Sequence, residues 1–307
     1  MELRTYSKIN LTLEVAARRP DGYHNLETVF WPVTLCDELL LTPRTDGELV
    51  FSCVGLPASP ENLVCRAYRL LEAEAAARGR RLPGLTAELR KKVPSEAGLG
   101  GGSGDAAAML QGVNELFPLG FSTEMLAAAG ARLGADVPAL LYRGPTRGRG
   151  TGTEVKPLRA ACGFSLIIVK PAPAFPTPQM YRAIDLARSG QEAAPGGPPG
   201  RSTDRMEQAL LAGDRAAVYA GLVNDFESVV PEPACLAGIK ENLLAAGAGG
   251  ALLSGSGSSV FGLFGDRAAR DEALERLRSL PRLYPGDPGC RIFAAETLCG
   301  DGSPYEP

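Results

Sequence analysis

With 307 residues, 45% of them hydrophobic and 22% charged, the chain is long enough for two ordinary domains with buried cores, which excludes a disordered or fibrous protein. Lys plus Arg number 32 against 35 Asp plus Glu, a net charge of −3, so the basic excess of a general nucleic-acid binder is missing and no nucleic-acid partner is expected. One histidine, His24, rules out any histidine-cluster mechanism, and seven dispersed cysteines without a C-x-x-C pair suit reduced thiols better than a disulfide frame or a zinc site.

In chain order, MELRTYSKIN is polar where a signal peptide would be apolar. No apolar run approaches the roughly 18 to 20 residues of a membrane-spanning helix, so a cytoplasmic protein without a membrane partner is expected. Leu11, Leu13 and Val15 alternate in the strand manner, Asp21-Gly22 reads as a turn, and a second extended run through Phe30 completes a hairpin. Ser59-Pro60 is a helix start, giving a helix over about 60–78. A strand at 85–92 then runs into the glycine-rich segment 98–104, followed by a helix from Ser103 and another over 122–132.

The second half opens with a strand at 164–169, a proline-rich loop (Pro171, Pro173, Pro176, Pro178) and a low-complexity Pro/Gly-rich stretch at 189–202, read as a surface insertion. Helical segments at 203–221 and 233–246, strand 250–253, a second glycine loop at 255–257, strand 259–264, helix 266–279 and strand 291–297 follow. Without the extra helices this is β-α-β-β-α-β, the split unit of ferredoxin-like domains. The domain boundary is expected between 145 and 160.

The segment P-S-E-A-G-L-G-G-G-S-G-D-A-A-A at 94–108 carries the strongest chemistry. Glycines let a backbone approach an anion closely, and a helix starting behind them aims free N–H groups and its positive dipole end at it. Phosphate is the natural ligand, although neither a Walker A nor a G-x-G-x-x-G register fits, and a plain turn before a helix would look similar. Lys8 is one of only six lysines and is read at the end of the first strand, where such a residue is often only a solubility device. Asn10 shares its strand face. Asp136, before Val137-Pro138, suits an N-cap as well as a catalytic base. Tyr23-His24 follows the turn with both rings at a loop edge, as a binding pair or as a packed Tyr and a solvated His. Asn62 and Lys91 carry no local signal beyond that of surface residues.

The glycine segment resembles the phosphate loop P-x-x-x-G-L-G-x-x-S-x-A-A of the GHMP kinases. Within them, S-K-I-N-L-T-L at 7–13, R-x-D-G-Y-H-N-L at 19–26, L-G-A-D-V-P at 133–138 and S-G-S-G-S-S-V-F at 254–261 look like the 4-diphosphocytidyl-2-C-methyl-D-erythritol kinases, as do P-T-P-x-x-Y at 176–181 and N-D-F-E at 224–227. These matches run in order from residue 7 to about 264.

The resemblance implies an α+β, two-domain fold, with a ribosomal S5 domain 2-like amino-terminal domain (1–152) and a ferredoxin-like carboxy-terminal domain (153–307). It implies transfer of the ATP γ-phosphate to the 2-hydroxyl of cytidine diphosphate-linked methylerythritol, a small-molecule substrate. Lys8 and Asp136 would be catalytic, Asp136 as base and Lys8 pairing with it. Asn62, Lys91, Pro94, Gly98, Leu99, Gly100, Gly101, Gly102, Ser103 and Gly104 would bind ATP. Asn10, Tyr23, His24, Thr177, Tyr181, Gly255 and Ser256 would bind the acceptor, Tyr23 and Tyr181 stacking on cytosine. Mg²⁺ is the implied metal; its ligands are unassigned, with Ser103 a candidate. A monomer or a homodimer is expected. Another GHMP kinase of homoserine or mevalonate type, or a non-catalytic nucleotide-binding relative, stays open as an alternative. One departure stands out: Gly104 replaces the second loop hydroxyl usual in the family, and restoring it as Gly104→Ser is expected to be neutral or slightly favourable.

Overall fold

Strands β1 (Glu2–Arg18) and β2 (His24–Pro43) form the expected hairpin, turned by Gly22 at φ +88° with the Arg19 amide donating to the Tyr23 carbonyl at 2.7 Å. The computed structural model describes residues 1–189, 200–287 and 289–300. Most of the low-complexity stretch at 189–202, namely 190–199, lies outside the described residues. Two compact units share β1 and β2 along the chain.

The first unit comprises Met1–Ser7, Leu35–Pro94 and Gly100–Tyr142. It holds β3 (Leu49–Val54), α1 (Leu63–Ala76), β4 (Leu85–Arg90), α2 (Gly101–Leu116), α3 (Thr123–Gly130) and the single turn α4 (Val137–Leu140). Strand β3 runs parallel to β4, and β4 runs antiparallel to β2 from Glu38 opposite Arg90 to Pro43 opposite Leu85. Helix α1 starts later than Ser59-Pro60 suggested, because Asn62 is the cap, its Oδ1 accepting the Val64 amide at 2.9 Å. Val64, Ala67, Tyr68, Leu71 and Ala75 form its buried face in a core shared with Leu39, Leu41, Leu85, Leu89 and the α2 residues Ala106, Met109, Leu110 and Val113.

Helix α2 begins at Gly101, two residues before the expected Ser103, with Gly100 at the N-cap (φ +65°). Its small residues let it lie almost on the backbone of β1. A Cβ at Gly104 would stand 2.2 Å from the Tyr6 carbonyl oxygen, and one at Gly112 2.4 Å from Leu3 Cδ1. This corrects the expectation for Gly104: the missing hydroxyl reflects the missing Cβ, which backbone leaves no room for. Gly104→Ser should therefore destabilise the protein by about 1–3 kcal/mol or more, as overpacking does, rather than relieve a helix cost. Thermal denaturation of Gly104→Ser beside Gly102→Ala, where an added Cβ meets only Leu63 Cδ1 at 3.5 Å, checks it.

The second unit comprises Lys8–Thr34, Ser95–Leu99 and Arg143 onward. Its elements are β5 (Thr146–Arg149), β6 (Glu154–Pro157), β7 (Ser165–Lys170), α5 (Thr177–Arg188), α6 (Arg201–Ala212), α7 (Arg215–Ala220), β8 (Val223–Asn224), α8 (Pro233–Ala245), β9 (Gly250–Leu253), β10 (Val260–Phe264), α9 (Arg267–Ser279) and β11 (Arg291–Glu296). Four strands make an antiparallel sheet in the order β11-β7-β10-β9, the fourth-first-third-second arrangement of the split β-α-β unit, as expected. Its core joins Ile167, Val169, Leu253, Val260 and Phe264 to Ile239, Leu243, Leu274 and Leu277 of α8 and α9.

Within this unit β8 pairs in parallel with β1 through Thr12–Val223 and Leu13–Asn224, and β5 pairs antiparallel with β2 at Thr28–Phe30. Where a proline-rich loop was expected to continue, α5 forms instead. Pro176 is its N-cap and Pro178 lies in its first turn, positions where a missing N–H costs nothing. The α6 N-terminus is held by the buried Glu14 carboxylate, which accepts from the Thr203 amide at 3.0 Å and hydroxyl at 2.8 Å.

Candidate active site

Lys8 lies in the middle of the 17-residue β1, not at its end, and is only 3% exposed. The solubility reading of this lysine is thereby excluded, since a buried ammonium must be satisfied by specific acceptors. Its Nζ donates to Asn10 Oδ1 at 2.7 Å and to the Gly98 carbonyl at 2.8 Å, and stands 5.8 Å from the centre of the Phe30 ring. Asn10 lies on the same strand face, as the two-residue spacing requires, and its Nδ2 donates to Thr28 Oγ1 at 2.8 Å.

The two glycine loops meet beside Lys8. Ser254 Oγ donates to the Gly98 carbonyl at 3.0 Å, the Ser259 amide donates to the Ala97 carbonyl at 3.2 Å, and the Lys8 amide donates to the Leu99 carbonyl at 2.9 Å. A Cβ at Gly98 would stand 1.9 Å from the Ser254 carbonyl oxygen, and one at Gly255 would stand 2.8 Å from the Gly98 carbonyl oxygen and 3.1 Å from Lys8 Nζ. Both glycines also sit at positive φ, +71° and +56°. Such closeness excludes side chains at either position and leaves the ammonium in a cradle of backbone.

From this loop the contacts lead to α5. Ser256 Oγ and Thr177 Oγ1 share a hydrogen bond of 2.8 Å, and one turn further Tyr181 stacks on His24 with ring centres 5.0 Å apart and 18° between planes. His24 opens β2 and is buried rather than solvated; its Nε2 pairs with Asp185 Oδ1 at 2.7 Å, four residues after Tyr181 on α5. Phe226 meets the Tyr181 ring edge-on at 5.0 Å. Tyr23 is 65% exposed at the turn. Lys8, Asn10, Gly98, Leu99, Tyr23, His24, Thr177, Tyr181, Gly255 and Ser256 are thus all placed in the second unit.

The remaining candidates belong to the first unit. Gly101, Gly102 and Ser103 are the opening residues of the sixteen-residue α2, and no side chain caps it. Its first amides are the orphan donors of any helix start, which favours an anion in front of them. Gly134 approaches Ser103 closely enough that an added Cβ would be 3.6 Å from its Oγ, which brings the L-G-A-D-V-P segment to the start of α2. Asp136 occupies the N-cap position of α4 but makes no side-chain cap hydrogen bond there, so the capping role is not what its carboxylate does. Asn62 caps α1, as described above, and Pro94 is buried.

Lys91 is not a surface lysine. Its ammonium lies between the carboxylates of Asp37 and Asp105, the latter at 2.6 Å. Burial pushes Asp105 up to about 6, against the pull of Lys91 and of the Thr5 hydroxyl that donates to it at 2.6 Å. Because the folded value is raised, this group's contribution to stability is present below the ordinary carboxylate range and lost as the pH rises through about 6. Burial also works against the Lys91 ammonium, yet Asp105 and Asp37 outweigh it and raise its pKa. Asp37 and Asp185 escaped the sequence reading; each is an ordinary acidic residue locally, and the partners that give it a role stand 54 and 161 residues away in the chain. Among the described residues, no three His, Cys, Asp or Glu side chains gather to hold a metal, and no helix is long and apolar enough to cross a membrane.

Residues 62–144 match the family model of the GHMP kinases N terminal domain and residues 206–282 that of the GHMP kinases C terminal. The 4-diphosphocytidyl-2-C-methyl-D-erythritol kinase of Symbiobacterium thermophilum is 42% identical over 288 residues, 92% of this chain and 97% of the relative. That of Moorella thermoacetica is 42% identical over 292 residues, covering 93% and 96%. A crystal structure of 4-(cytidine 5'-diphospho)-2C-methyl-D-erythritol kinase superposes with a TM-score of 0.76 at 33% identity, covering 98% of this chain and all of the other. Mevalonate kinase from L. major shares the fold, with a TM-score of 0.72 at 18% identity over 97% and 96% of the two chains.

Proposed function

This chain belongs to the 4-diphosphocytidyl-2-C-methyl-D-erythritol kinases of the GHMP superfamily, ATP-dependent small-molecule kinases, and on that footing we propose that it phosphorylates the 2-hydroxyl of the cytidylated methylerythritol, releasing ADP. The observation that carries the reading is the buried Lys8 ammonium at the meeting of the two glycine loops. Phosphoryl transfer asks mainly for positioning and for neutralisation of developing negative charge. A fixed, desolvated ammonium supplies the second. In this reading the start of α2 presents its amides to the ATP phosphates, with Asn62, Lys91, Pro94 and the loop from Gly98 to Gly104 completing the nucleotide site. Asp136 accepts the proton of the attacking hydroxyl, Lys8 stabilises the alkoxide, and Asn10 orients the acceptor.

The acceptor side follows the chain of contacts in the second unit. Gly255, Ser256 and Thr177 receive its phosphates, and Tyr23, His24 and Tyr181 receive the base. The pairing of His24 with Asp185 and its stacking on Tyr181 hold a polar ring and an aromatic face in fixed relation, which suits a nucleobase. Mg²⁺ fits a nucleotide site whose assigned side chains offer one hydroxyl, Ser103, and no carboxylate, because this ion is commonly carried by substrate phosphates and water; when bound it would neutralise charge on the phosphates. A coupled ADP-release assay with the cytidylated substrate, homoserine and mevalonate side by side tests the proposal. Turnover is expected with the first alone, and equal or greater turnover of either other acceptor overturns it.

A further inference from the structure

Apart from Phe226 against Tyr181, the N-D-F-E segment at 224–227 has no part in the chemistry above, yet each of its polar side chains reaches far along the chain. Asp225 Oδ2 accepts from the Val15 amide at 2.7 Å and from Arg188 Nη2 at 2.8 Å. Glu227 accepts from the Leu253 amide at 2.9 Å and from Lys240 Nζ at 2.7 Å. Asn224, only 5% exposed, uses its whole carboxamide. Its Nδ2 donates to the carbonyls of Leu253 and Gly255, both at 2.8 Å, and its Oδ1 accepts the Phe226 amide at 3.0 Å.

We infer that Asn224 is a positioning residue for the phosphoryl transfer: its carboxamide ties the 254–257 loop to β8, whose backbone pairs with β1, the strand that carries Lys8, and thereby fixes the cradle around the ammonium. Three observations join here. Asn224 stands opposite Leu13 in the β8–β1 pairing, so its own place is set by the strand that bears Lys8 and Asn10. Its two donated hydrogen bonds go to the residue before Ser254 and to Gly255, one on each side of the serine that donates to the Gly98 carbonyl. Gly255 also sits tightly, since a Cβ added there would stand 2.8 Å from the Gly98 carbonyl oxygen and 3.1 Å from Lys8 Nζ. The inference rests on the kinase reading for what Lys8 does, though not for where the loop is held.

A purely structural role would be to cap the 3-10 turn at 225–229 through Oδ1. Substitution separates the two roles. Asn224→Asp keeps the cap acceptor but loses both donors and sets a carboxylate against two carbonyl oxygens; Asn224→Ser keeps a cap hydroxyl without the charge, in case the aspartate variant fails to fold. In the positioning role, folded protein of either variant should lose about 10- to 100-fold in kcat, as small misplacements of reacting groups do, with the KM for ATP within about threefold of wild type. Gly255→Ala combined with Asn224→Ser should lose far less than the product of the single losses, because both act on one loop. Amide hydrogen exchange at 254–257 should quicken in both variants, a readout that needs no acceptor.

Wild-type kcat in a folded variant, exchange unchanged at 254–257, or an equal weakening of ATP and acceptor would each overturn the inference. Wild-type protein is assayed on the full acceptor panel in parallel. If it prefers homoserine or mevalonate, the substrate reading falls while the variant-to-wild-type ratio on that acceptor still decides the role of Asn224.

Discussion

Asp136→Asn is expected to lower kcat by about 10²- to 10⁴-fold and to leave the affinity for ATP nearly intact, since a general base acts on the hydroxyl and not on the nucleotide. The substitution is informative because asparagine caps helices as well as aspartate does, so a capping role would survive it. Lys8→Met should lose rate to a similar extent. Its ammonium is held by Asn10 and the Gly98 carbonyl in a buried setting, and methionine removes the charge while keeping most of the stem. Lys8→Arg should not rescue it, because Gly255 already stands so near that a single added carbon would lie 3.1 Å from Nζ. Steady-state kinetics at saturating ATP, with nucleotide binding measured separately, would check all three. An Asp136→Asn enzyme retaining more than about a tenth of the wild-type kcat would overturn the base assignment.

The second large effect concerns the base. Methylerythritol phosphate without its cytidyl group should be turned over with kcat/KM lower by about 10³-fold or more, since it forfeits base stacking worth roughly 1–3 kcal/mol per aromatic face together with the polar contact of His24. Tyr181→Ala should raise the KM for the cytidylated substrate about 5- to 100-fold and leave the KM for ATP alone. The variant removes a face and a neighbour at once, because the Tyr181 ring also lies against His24. Equal turnover of the two acceptors would refute the cytidine pocket.

Much of this architecture is legible in the residues. The strands at β9, β10 and β11 and the helix α9 fall within a residue or two of their expected ends, because alternation and helical spacing are local signals that Gly and Pro punctuate. Errors cluster where a local signal had two meanings. Pro176 and Pro178 read as a loop, though prolines at a helix start are as consistent with α5, and Ser59-Pro60 read as a cap although Asn62 takes that role. The short pairings β5, β6 and β8 carry too few residues to show a period.

At the candidate site, the glycine loops, Lys8 and His24 stand out through contiguous motifs that resemble the family, although local signals alone left Lys8 a surface charge and His24 a solvated ring. What holds them does not. Asp185 secures His24 from 161 residues away, Asn224 secures Gly255 from 31, and Asp37 meets Lys91 across 54; of these only Asn224 lies in a family-like motif, and no local pattern announces its partner or the other two pairs. The expectation of a neutral Gly104→Ser is overturned for the same reason. The obstacle is the Tyr6 carbonyl, which belongs to a strand almost a hundred residues earlier.

The sharing of β1 and β2 between two compact units also bears on how the protein is made. The Val15 amide, within the first segment of the second unit, bonds to Asp225, 210 residues on, and Thr28 waits for Gly148 as its strand partner. On a ribosome, the stretch Lys8–Thr34 therefore emerges long before the segments that complete it, and its apolar face stays uncovered until they follow. Closing such large loops is entropically slow, and the exposed hairpin is the kind of surface that holdase chaperones engage. The residues that build the Lys8 cradle come from both ends of this wait, so the cradle is completed late in synthesis, when the 254–257 loop arrives.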